Sequence, residues 1–585
     1  ATVTAQAIGA TLDRTSQTVD VPANGDTRVR FEAKASPAQV ATFEFAATMG
    51  REHDAARVTI PIERAQVIET RTLADRTLAK GETWTSVIGA GSDVIRGDSS
   101  LSITVDRSGL GSLAPSLRQL VEYPYGCLEQ TLSKLVPLVA AKDLATTLDD
   151  TSLRGTKLDQ FVKAGIAKVI RHQQGDGLFS LWPQSQTYPH LAAYALWGLT
   201  VAQKAGVDVP ADTFDRGIHA LSAWANAPAN LKPDGSSATA AMAAYVMAWR
   251  GKPDPSLNAR LYALRAGLPR WGQAFLLRAM AAAKADPQQI AELEKLVTSG
   301  VAVTGGQALV HDSADELYWN TDVRASAMTL AALLEVDPSS PLVDPLARGL
   351  QAQRWVSTQD NLWSLVALAQ YAKRSATGGI TATIKVGGKV ITKKLTGAEI
   401  GSVRVPLEGL TGDHVEVSVD QTAHLGVRVA EARTDPGAAA SHGFTIARSY
   451  LAAGGKPLAH VHAGDVVTVH LTVTTDTDRR WVALVDPLPA GFEVVNAKLS
   501  GGAPPPAKTD PWAGRWQRTS WDHQDIRDDR VDWFTDHMWP GTYELTYTAR
   551  ATTSGTFTAM PASIEAMYQP DVRGRSEVAT VTIDR

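Results

Sequence analysis

The chain has 585 residues, of which 44% are hydrophobic and 20% are charged, and its formal net charge at pH 7 is -4. This composition is typical of folded domains and excludes a wholly disordered chain. At ~150 residues per domain, the length predicts about four domains. The weakly negative charge argues against a general nucleic-acid-binding protein, because affinity for phosphates requires a concentrated basic surface.

Neither a membrane helix nor a signal peptide is predicted. The longest apolar run, residues 238–249, is Ala-rich and shorter than the ~18 residues that cross a bilayer. The first residues (ATVTAQAIG) resemble a strand, since they lack a basic start and an apolar segment. The chain does not begin with Met, so we expect a processed chain or a portion of a longer protein.

The first 107 residues alternate between apolar and polar side chains with a period of two. Examples are TRVRFEAKA (27–35), VATFEFAATM (40–49) and LSITVD (101–106), separated by clusters of Gly, Asn, Pro and Asp. Short strands at this spacing predict antiparallel β-domains.

From Leu117 to Lys373 the apolar residues recur at helical spacing, and Ala is enriched. Examples are HLAAYALWGLTVAQKAG (190–206), WGQAFLLRAMAAAKA (271–285) and NLWSLVALAQYAKR (361–374). These helices are short, similar in length and closely connected, so neighbours should pack antiparallel. About a dozen helices of this kind predict an α/α toroid or solenoid rather than a four-helix bundle.

The alternating pattern returns after Ala376. A helical block with β-segments on both sides is most simply an insertion into one β-domain, so the strands at about 66–107 and 377–433 should belong together. Asp435 to Gly443 (DPGAAASHG) has the composition of a linker, and the last 140 residues or so alternate again. Their length and pattern predict a β-sandwich, which makes the chain a multidomain α+β protein.

The single cysteine, Cys127, lies at the boundary between the β and the helical patterns, in the sequence YPYGCLEQ (123–130). A lone cysteine excludes an intrachain disulfide and is usually a buried small hydrophobe. In a turn that enters a helix, however, positions i and i+3 are neighbours, so the Cys127 sulfur can reach the side-chain carbonyl of Gln130. Attack by the thiolate with loss of ammonia would close an internal thioester. A helix N-terminus would favour the thiolate, and Gly126 would give the backbone freedom at a tight turn.

A thioester is an activated acyl group that lasts only where water is excluded. Tyr123 and Tyr125 lie just before Cys127, and their rings either cover the bond or are ordinary core aromatics. We favour a shielding role for Tyr123. Glu129 is a candidate for proton transfer during closure, and the alternative is a solvated carboxylate at the start of a helix.

The sequence PYGCLEQ resembles the thioester signature of the alpha-2-macroglobulin and complement superfamily, in the form found in its bacterial members. The resemblance extends in the expected order over helical hairpins of the family's thioester domain and over its closing β-sandwich. The segments that carry it are residues 176–183, 188–206, 317–335, 355–372 and 539–576.

This resemblance implies an α/α toroid, the thioester domain, inserted in a CUB-like β-domain and flanked by macroglobulin-like β-sandwiches. The implied domains are a macroglobulin-like sandwich at 1–65, a CUB-like domain at 66–107 and 377–434, a helical thioester domain at 108–376 and a C-terminal macroglobulin-like sandwich at 435–585.

The function implied by the resemblance is that of a bacterial broad-spectrum protease inhibitor, consumed in one covalent capture and therefore not an enzyme. Cleavage of a bait region would expose the Cys127–Gln130 thioester to the lysine amines of the attacking protease, with no cofactor. We find no bait region here, so the N-terminal half of the same protein is an implied partner. A periplasmic location, in the full-length protein as a lipoprotein of the inner membrane, is expected for this defence role. No nucleic acid is expected as a partner.

Some relatives use a downstream His to favour hydroxyl targets. The comparable stretch, Trp224 to Ser237, contains no His, and His219 lies slightly upstream. We therefore expect direct attack by amines. Two alternatives remain: an opsonin or adhesin that labels surfaces through the same bond, and a carbohydrate-active toroid.

Two further clusters contain residue types that can bind metals or act in catalysis. His460, His462 and His470 are candidate metal ligands, but solvated strand histidines are the better interpretation. A cluster of acidic residues follows Val310. In a toroid, paired carboxylates are typical of glycoside hydrolases. Carboxylates at helix starts are also expected from capping. The members of this acidic group are Asp312, Asp315, Glu316 and Asp322. We favour capping for the acidic group and predict no metal.

Overall fold

The computed structural model contains two compact units, residues 1–67 and residues 68–585. No helix that the structure describes is both long and apolar enough to cross a membrane. The described residues are 1–36, 40–62, 67–107, 109–113, 116–117, 120–121, 123, 125–140, 155–353, 355–375, 378–397, 399–433, 438–452, 460–495 and 521–584.

The first unit is built from antiparallel strands. Its larger sheet has the order β3-β1-β5-β6, and β2 pairs with β4. The register of β1 on β5 places Ala5 opposite Phe45, and the alternating pattern buries Ala5 and Ala41 on one face. The strands are β1 (Thr2–Ile8), β2 (Ala10–Leu12), β3 (Ser16–Thr18), β4 (Ala33–Ala35), β5 (Val40–Met49) and β6 (Glu52–Pro61).

Two four-stranded sheets combine strands from both sides of the helical block, with the orders β15-β14-β17-β8 and β16-β9-β18-β7. In the second sheet Val105 of β9 lies opposite Gly401 on one side and Leu425 on the other. The predicted insertion of the helical block into one β-domain is therefore confirmed. The strands are β7 (Val67–Leu78), β8 (Thr83–Val87), β9 (Ser100–Asp106), β14 (Gly379–Val386), β15 (Lys389–Thr396), β16 (Gly401–Pro406), β17 (His414–Val419) and β18 (Ala423–Arg433).

The helical block contains eleven α-helices among the residues that the structure describes. Two short hairpins interrupt it, β10 (Phe179–Ser180) with β11 (Thr187–Tyr188) and β12 (Val301–Thr304) with β13 (Gln307–Val310). The helices are α1 (Leu128–Ala140), α2 (Gly155–Ile170), α3 (Pro189–Lys204), α4 (Ala211–Asn226), α5 (Gly235–Trp249), α6 (Pro255–Ala263), α7 (Arg270–Ala282), α8 (Pro287–Ser299), α9 (Asp322–Val336), α10 (Val343–Ala352) and α11 (Thr358–Ser375).

The helices form a closed toroid with an inner and an outer layer. The odd-numbered helices α1, α3, α5, α7, α9 and α11 pack each on the next, and α11 returns to α1. The inner helices are Ala-rich and buried nearly all round, as expected for a layer covered on both faces. Small residues bring them close: a Cβ on Gly198 would lie 2.7 Å from Leu132, and one on Gly272 would lie 2.6 Å from Ala238.

The C-terminal part of the second unit is a β-sandwich with the sheets β19-β30-β29-β23-β26-β25, β20-β22-β27-β24 and β21-β31-β28. Its strands are β19 (Ala440–His442), β20 (Thr445–Leu451), β21 (Val461–His462), β22 (Val466–Thr475), β23 (Arg479–Pro487), β24 (Phe492–Val494), β25 (His523–Ile526), β26 (Arg530–Met538), β27 (Gly541–Ala551), β28 (Gly555–Ala559), β29 (Ser563–Ala566), β30 (Gln569–Arg575) and β31 (Ala579–Asp584).

The six-stranded sheet of this sandwich packs against the toroid. Along β23, Val482 and Leu484 point into the core of the sandwich, whereas Trp481 and Ala483 belong to the core of the toroid. Because successive side chains of a strand point to opposite faces, one strand can serve both cores. Phe534 of β26 and Met567, which follows β29, also belong to the toroid core. The sandwich therefore covers the end of the toroid at which α1 begins.

Candidate functional site

Cys127 and Gln130 meet at the start of α1. Cys127 immediately precedes the helix, and its carbonyl accepts the first helical hydrogen bond, from the Thr131 N–H at 2.9 Å. The Gln130 N–H donates to Cys127 Sγ at 3.4 Å, and the Cys127 N–H donates to Gln130 Oε1 at 3.3 Å. This reciprocal pattern is the geometry of a capping box, with a thiol in place of the usual hydroxyl. It holds the sulfur and the carboxamide on the same side of the helix.

Both side chains are shielded from solvent, with relative exposures of 0% for Cys127 and 1% for Gln130. Gln130 Nε2 donates to the sulfur of Met567 at 3.1 Å, so the sandwich closes directly over the pair. Burial raises the pKa of the Cys127 thiol well above its ordinary value, and the nearby Glu129 raises it further. The thiol is neutral in this state, because a low-dielectric site disfavours the charged form.

Glu129 is fully buried and therefore is not the solvated carboxylate of the alternative interpretation. Its oxygens accept hydrogen bonds from Ser133, from Thr358 and Gln359 of α11, and from the Tyr568 hydroxyl at 2.8 Å. Burial raises the pKa of Glu129, and these donors oppose that rise. One carboxylate thus joins the first inner helix, the last inner helix and the sandwich.

Tyr123 and Tyr125 connect the toroid to the sandwich. The Tyr123 hydroxyl lies 3.3 Å from both Glu565 Oε1 and the Met567 carbonyl oxygen, to which it can donate. The two tyrosine rings meet edge to face at 5.3 Å, and Tyr125 meets Phe534 in the same way at 5.5 Å. Such pairs add to the stability that burial gives. Burial raises the pKa of Tyr123 well above its ordinary value, so its hydroxyl remains protonated.

Gly126 is distinguished by a neighbouring side chain and not by its backbone conformation. Its φ does not lie in the left-handed region, so the predicted need for backbone freedom is wrong. A Cβ atom at this position would instead overlap the ammonium group of Lys168. A second lysine, Lys134, donates to the Tyr123 carbonyl oxygen, and burial lowers the pKa of Lys134 to about 8.

Three contributors to the site carry no signal in their own sequence. Glu565, Met567 and Tyr568 lie in and beside the turn between β29 and β30, more than 430 residues after the motif that they contact. Their segment falls within the stretch that resembles the family's closing sandwich, but nothing in its residue pattern distinguishes these side chains from ordinary core residues. Only the docking of the sandwich brings them to Cys127 and Gln130.

The histidines singled out in the sequence lie away from the site. His219 is exposed on the outer helix α4, and His462 and His470 lie on β21 and β22. His462 faces Asp465, and His470 faces Glu544 at 3.7 Å. Within the described portion of the chain, no group of three or more His, Cys, Asp or Glu residues is placed to hold a metal ion.

The acidic group before α9 serves the local backbone. Asp312 accepts hydrogen bonds from the Trp271 N–H and from Asn320, and Asp315 accepts one from the Leu317 N–H. The N-cap of α9 is Thr321 rather than an aspartate. Asp322 accepts a hydrogen bond from the Asp312 N–H, and Glu316 accepts one from Gln569 of the sandwich. Three of the four carboxylates therefore bind backbone donors near helix starts and turns, which agrees with a structural role.

Comparison with known proteins places this geometry in a family context. The model of the bacterial alpha-2-macroglobulin MG10 domain matches residues 443–571, and the model of the A-macroglobulin TED domain matches residues 102–224. The alpha-2-macroglobulin of Escherichia coli K12 is 27% identical over 509 residues, which are 81% of this chain and 29% of that protein. The alpha-2-macroglobulin of Xylella fastidiosa Temecula1 is 24% identical and aligns with 82% of this chain and 30% of its own length. The chain thus spans about 30% of these relatives.

Solved structures show the same fold. The E. coli alpha-2-macroglobulin fragment from domain MG7 to the C-terminus superposes with a TM-score of 0.81 at 23% identity, over 100% of this chain and 94% of that chain. The Salmonella alpha-2-macroglobulin reacted with methylamine gives a TM-score of 0.83 at 22% identity, over 100% of this chain and 38% of that chain.

Proposed function

We propose that this chain, which belongs to the bacterial alpha-2-macroglobulin family, is the C-terminal portion of a protease trap that captures its attacker through a thioester between Cys127 and Gln130. The observation that carries the proposal is the reciprocal hydrogen bonding of these two residues in a site closed to water. Each side chain is bonded to the backbone N–H of the other residue, so both groups are held on one helical turn before the bond closes.

Closure of the bond is a simple acyl substitution. The Cys127 sulfur adds to the side-chain carbonyl carbon of Gln130, the carbon–nitrogen bond breaks, and the thiol proton leaves with the nitrogen as ammonia. Holding the two groups on one helical turn provides the proximity that such an intramolecular reaction requires. The product is an activated acyl group that persists as long as water stays out.

The buried contacts explain how such a bond would survive. Met567 covers Gln130, and Tyr123 and Tyr125 fill the space between the motif and the sandwich. In this role Tyr123 guards the bond, as the sequence suggested, and it does so together with side chains of the sandwich. Displacement of the sandwich would uncover the acyl carbon of Gln130.

Capture follows once the bond is uncovered. A lysine amine of the protease attacks the Gln130 acyl carbon, the carbon–sulfur bond breaks, and Cys127 leaves as a thiolate, so that protease and trap are joined by an amide. The trap is consumed in one event and has no turnover. The proposed trigger is proteolysis of a bait region elsewhere in the longer protein. A periplasmic location with a lipid anchor stays a prediction.

Amines are the proposed targets because the described contacts of Cys127 and Gln130 include no imidazole. A histidine beside the bond could take over the acyl group and pass it to hydroxyls, whereas a direct attack favours the better nucleophile. Lysine side chains on the surface of a protease provide such nucleophiles.

The test is the intact mass of the chain before and after methylamine. A closed thioester makes the protein about 17 Da lighter than its sequence, and methylamine then adds about 31 Da and releases one alkylatable thiol. Because Cys127 is the only cysteine, the released thiol can be assigned without ambiguity. Cys127→Ala is the matched control and should show the encoded mass and no uptake.

Three results would contradict the proposal. A protein of encoded mass, with Cys127 freely alkylated from the start, would show that no bond forms in this chain. Transfer of the acyl group to glycerol in preference to methylamine would favour the opsonin or adhesin alternative. Glycan hydrolysis that survives Cys127→Ala would favour the carbohydrate-active alternative.

A further inference from the structure

Lys168 lies over the turn that precedes Cys127. It belongs to α2, which packs on α1, and the packing is close because a Cβ on Gly165 would lie 2.5 Å from Leu135. Positions i and i+3 share one face of a helix, so Lys168 follows Gly165 toward α1. Its ammonium group reaches the backbone of Gly126, where a side chain would overlap it.

The charged residues around Lys168 do not neutralise its ammonium group, which can therefore interact with the Cys127 sulfur. Within the described residues Lys168 has no ion pair or hydrogen bond, and the groups of opposite sign that act on it are Cys127 and Asp525. Asp525 already pairs with His523 at 2.9 Å and faces Arg527 at 3.8 Å. The Cys127 sulfur, once it carries a negative charge, is therefore the group that the Lys168 ammonium is best placed to stabilise.

We propose that Lys168 is the cation that stabilises the Cys127 thiolate when the thioester is closed and when it is opened, an inference that rests on the proposed function. On opening, the attacking amine forms a bond to the Gln130 acyl carbon, the carbon–sulfur bond breaks with its electron pair on sulfur, and the amine proton passes to solvent. Burial lowers the pKa of Lys168, and Cys127 and Asp525 oppose that fall. Lys168 gives up no proton in this step, and its ammonium charge balances the new charge on sulfur.

The other ionisable groups around the sulfur do not provide this charge. Glu129 opposes a thiolate, and Tyr123 and Tyr568 are neutral at physiological pH because burial raises the pKa of both hydroxyls. Lys134 also acts on Cys127, but it is bound to the Tyr123 carbonyl oxygen. A sulfur in this setting without Lys168 would be a poor leaving group, since burial disfavours its anion.

The location of Lys168 suits both halves of the reaction. It lies on the toroid, as Cys127 does, whereas Met567 and Tyr568 belong to the sandwich. If the sandwich moves away to uncover the bond, the shielding side chains leave and the cation stays beside the sulfur. The leaving group thus keeps its stabilisation at the moment when it is needed.

The experiment titrates the single thiol in the 585-residue chain. Lys168→Met removes the charge, Lys168→Arg restores it, and Lys163→Met changes an exposed lysine of the same helix as the matched control. Each protein is opened with methylamine, and the rate of alkylation by iodoacetamide is followed from about pH 6 to about pH 10. Circular dichroism and the thermal midpoint verify that the variants are folded.

We expect Lys168→Met to raise the apparent thiol pKa and to slow alkylation near neutral pH by ~10-fold, the effect of one nearby charge at partial burial. Lys168→Arg and Lys163→Met should titrate as the parent does. Methylamine should also open the thioester more slowly in Lys168→Met than in the parent, Lys168→Arg or Lys163→Met, because opening releases the same thiolate.

Outcomes separate the two proposals. A parent protein without the mass deficit overturns the thioester function, and its free thiol can still be titrated with and without Lys168. A parent with the deficit and a Lys168→Met variant that titrates and opens as the parent does would overturn the role of Lys168 alone. Equal effects of Lys168→Met and Lys163→Met would likewise contradict it, since they would reflect net charge.

Discussion

The contact between Met567 and Gln130 leads to a quantitative prediction about how well the bond is protected. Met567 is 1% exposed, belongs to the toroid core and receives the Gln130 carboxamide at 3.1 Å. Met567→Ala removes this cover and leaves a cavity between the sandwich and the toroid. Truncation of a buried Met to Ala costs ~2–5 kcal/mol, and here much of that cost falls on the closed arrangement of the two domains.

A weakening of the closed arrangement by ~2 kcal/mol raises the fraction of open molecules by ~30-fold. We therefore expect methylamine to open the thioester ~30-fold faster in Met567→Ala than in the parent, at amine concentrations far below saturation. Intact mass measured over time gives the rate, and incubation without amine gives the rate of hydrolysis in the same way. Both rates should rise together, because both depend on access to the acyl carbon.

Met538→Ala is the matched control. Met538 is also fully buried, but it belongs to the sandwich's own core. It should lower the thermal midpoint of the sandwich and change the opening rate much less than Met567→Ala does. If Met567→Ala were opened no faster than the parent, or only as fast as Met538→Ala, Met567 would not shield the bond.

Three further predictions concern the buried groups around the site. Glu129→Gln puts donors opposite the donors that now bind the carboxylate, so the thermal midpoint should fall by an amount equivalent to ~2–4 kcal/mol, and a variant as stable as the parent would contradict the network. Gly126→Ala should push the flexible end of Lys168 aside and raise the thiol pKa of the opened protein part of the way toward Lys168→Met, which alkylation rates would show. Burial raises the pKa of Asp536, which accepts a hydrogen bond from Tyr188, to about 6. Because that value exceeds the unfolded one, the free energy of unfolding should fall by up to ~3 kcal/mol between about pH 4 and pH 7, and urea titrations should show no such fall in Asp536→Asn.

The local patterns of the sequence determined the class of fold. Period-two alternation marked the β-domains, helical periodicity with enriched Ala marked the toroid, and the change of pattern on both sides predicted the insertion. These features are readable because the side-chain period of a strand or helix is a local property of consecutive residues. The candidate pair Cys127 and Gln130 was readable for the same reason, since i and i+3 are neighbours on any helix.

The tertiary structure alone decided which side chains cover Cys127 and Gln130 and which charged groups lie beside them. Met567 and Tyr568 reach the motif only because one face of β23 and β26 serves the core of the toroid, and Glu129 is buried only because α11 closes on α1. Lys168 explains Gly126 better than backbone conformation does, although 41 residues separate the two. Contacts over such separations depend on how helices pack within the toroid and how the sandwich docks on it. Both are set by shape and packing over whole faces, which no short stretch of sequence encodes.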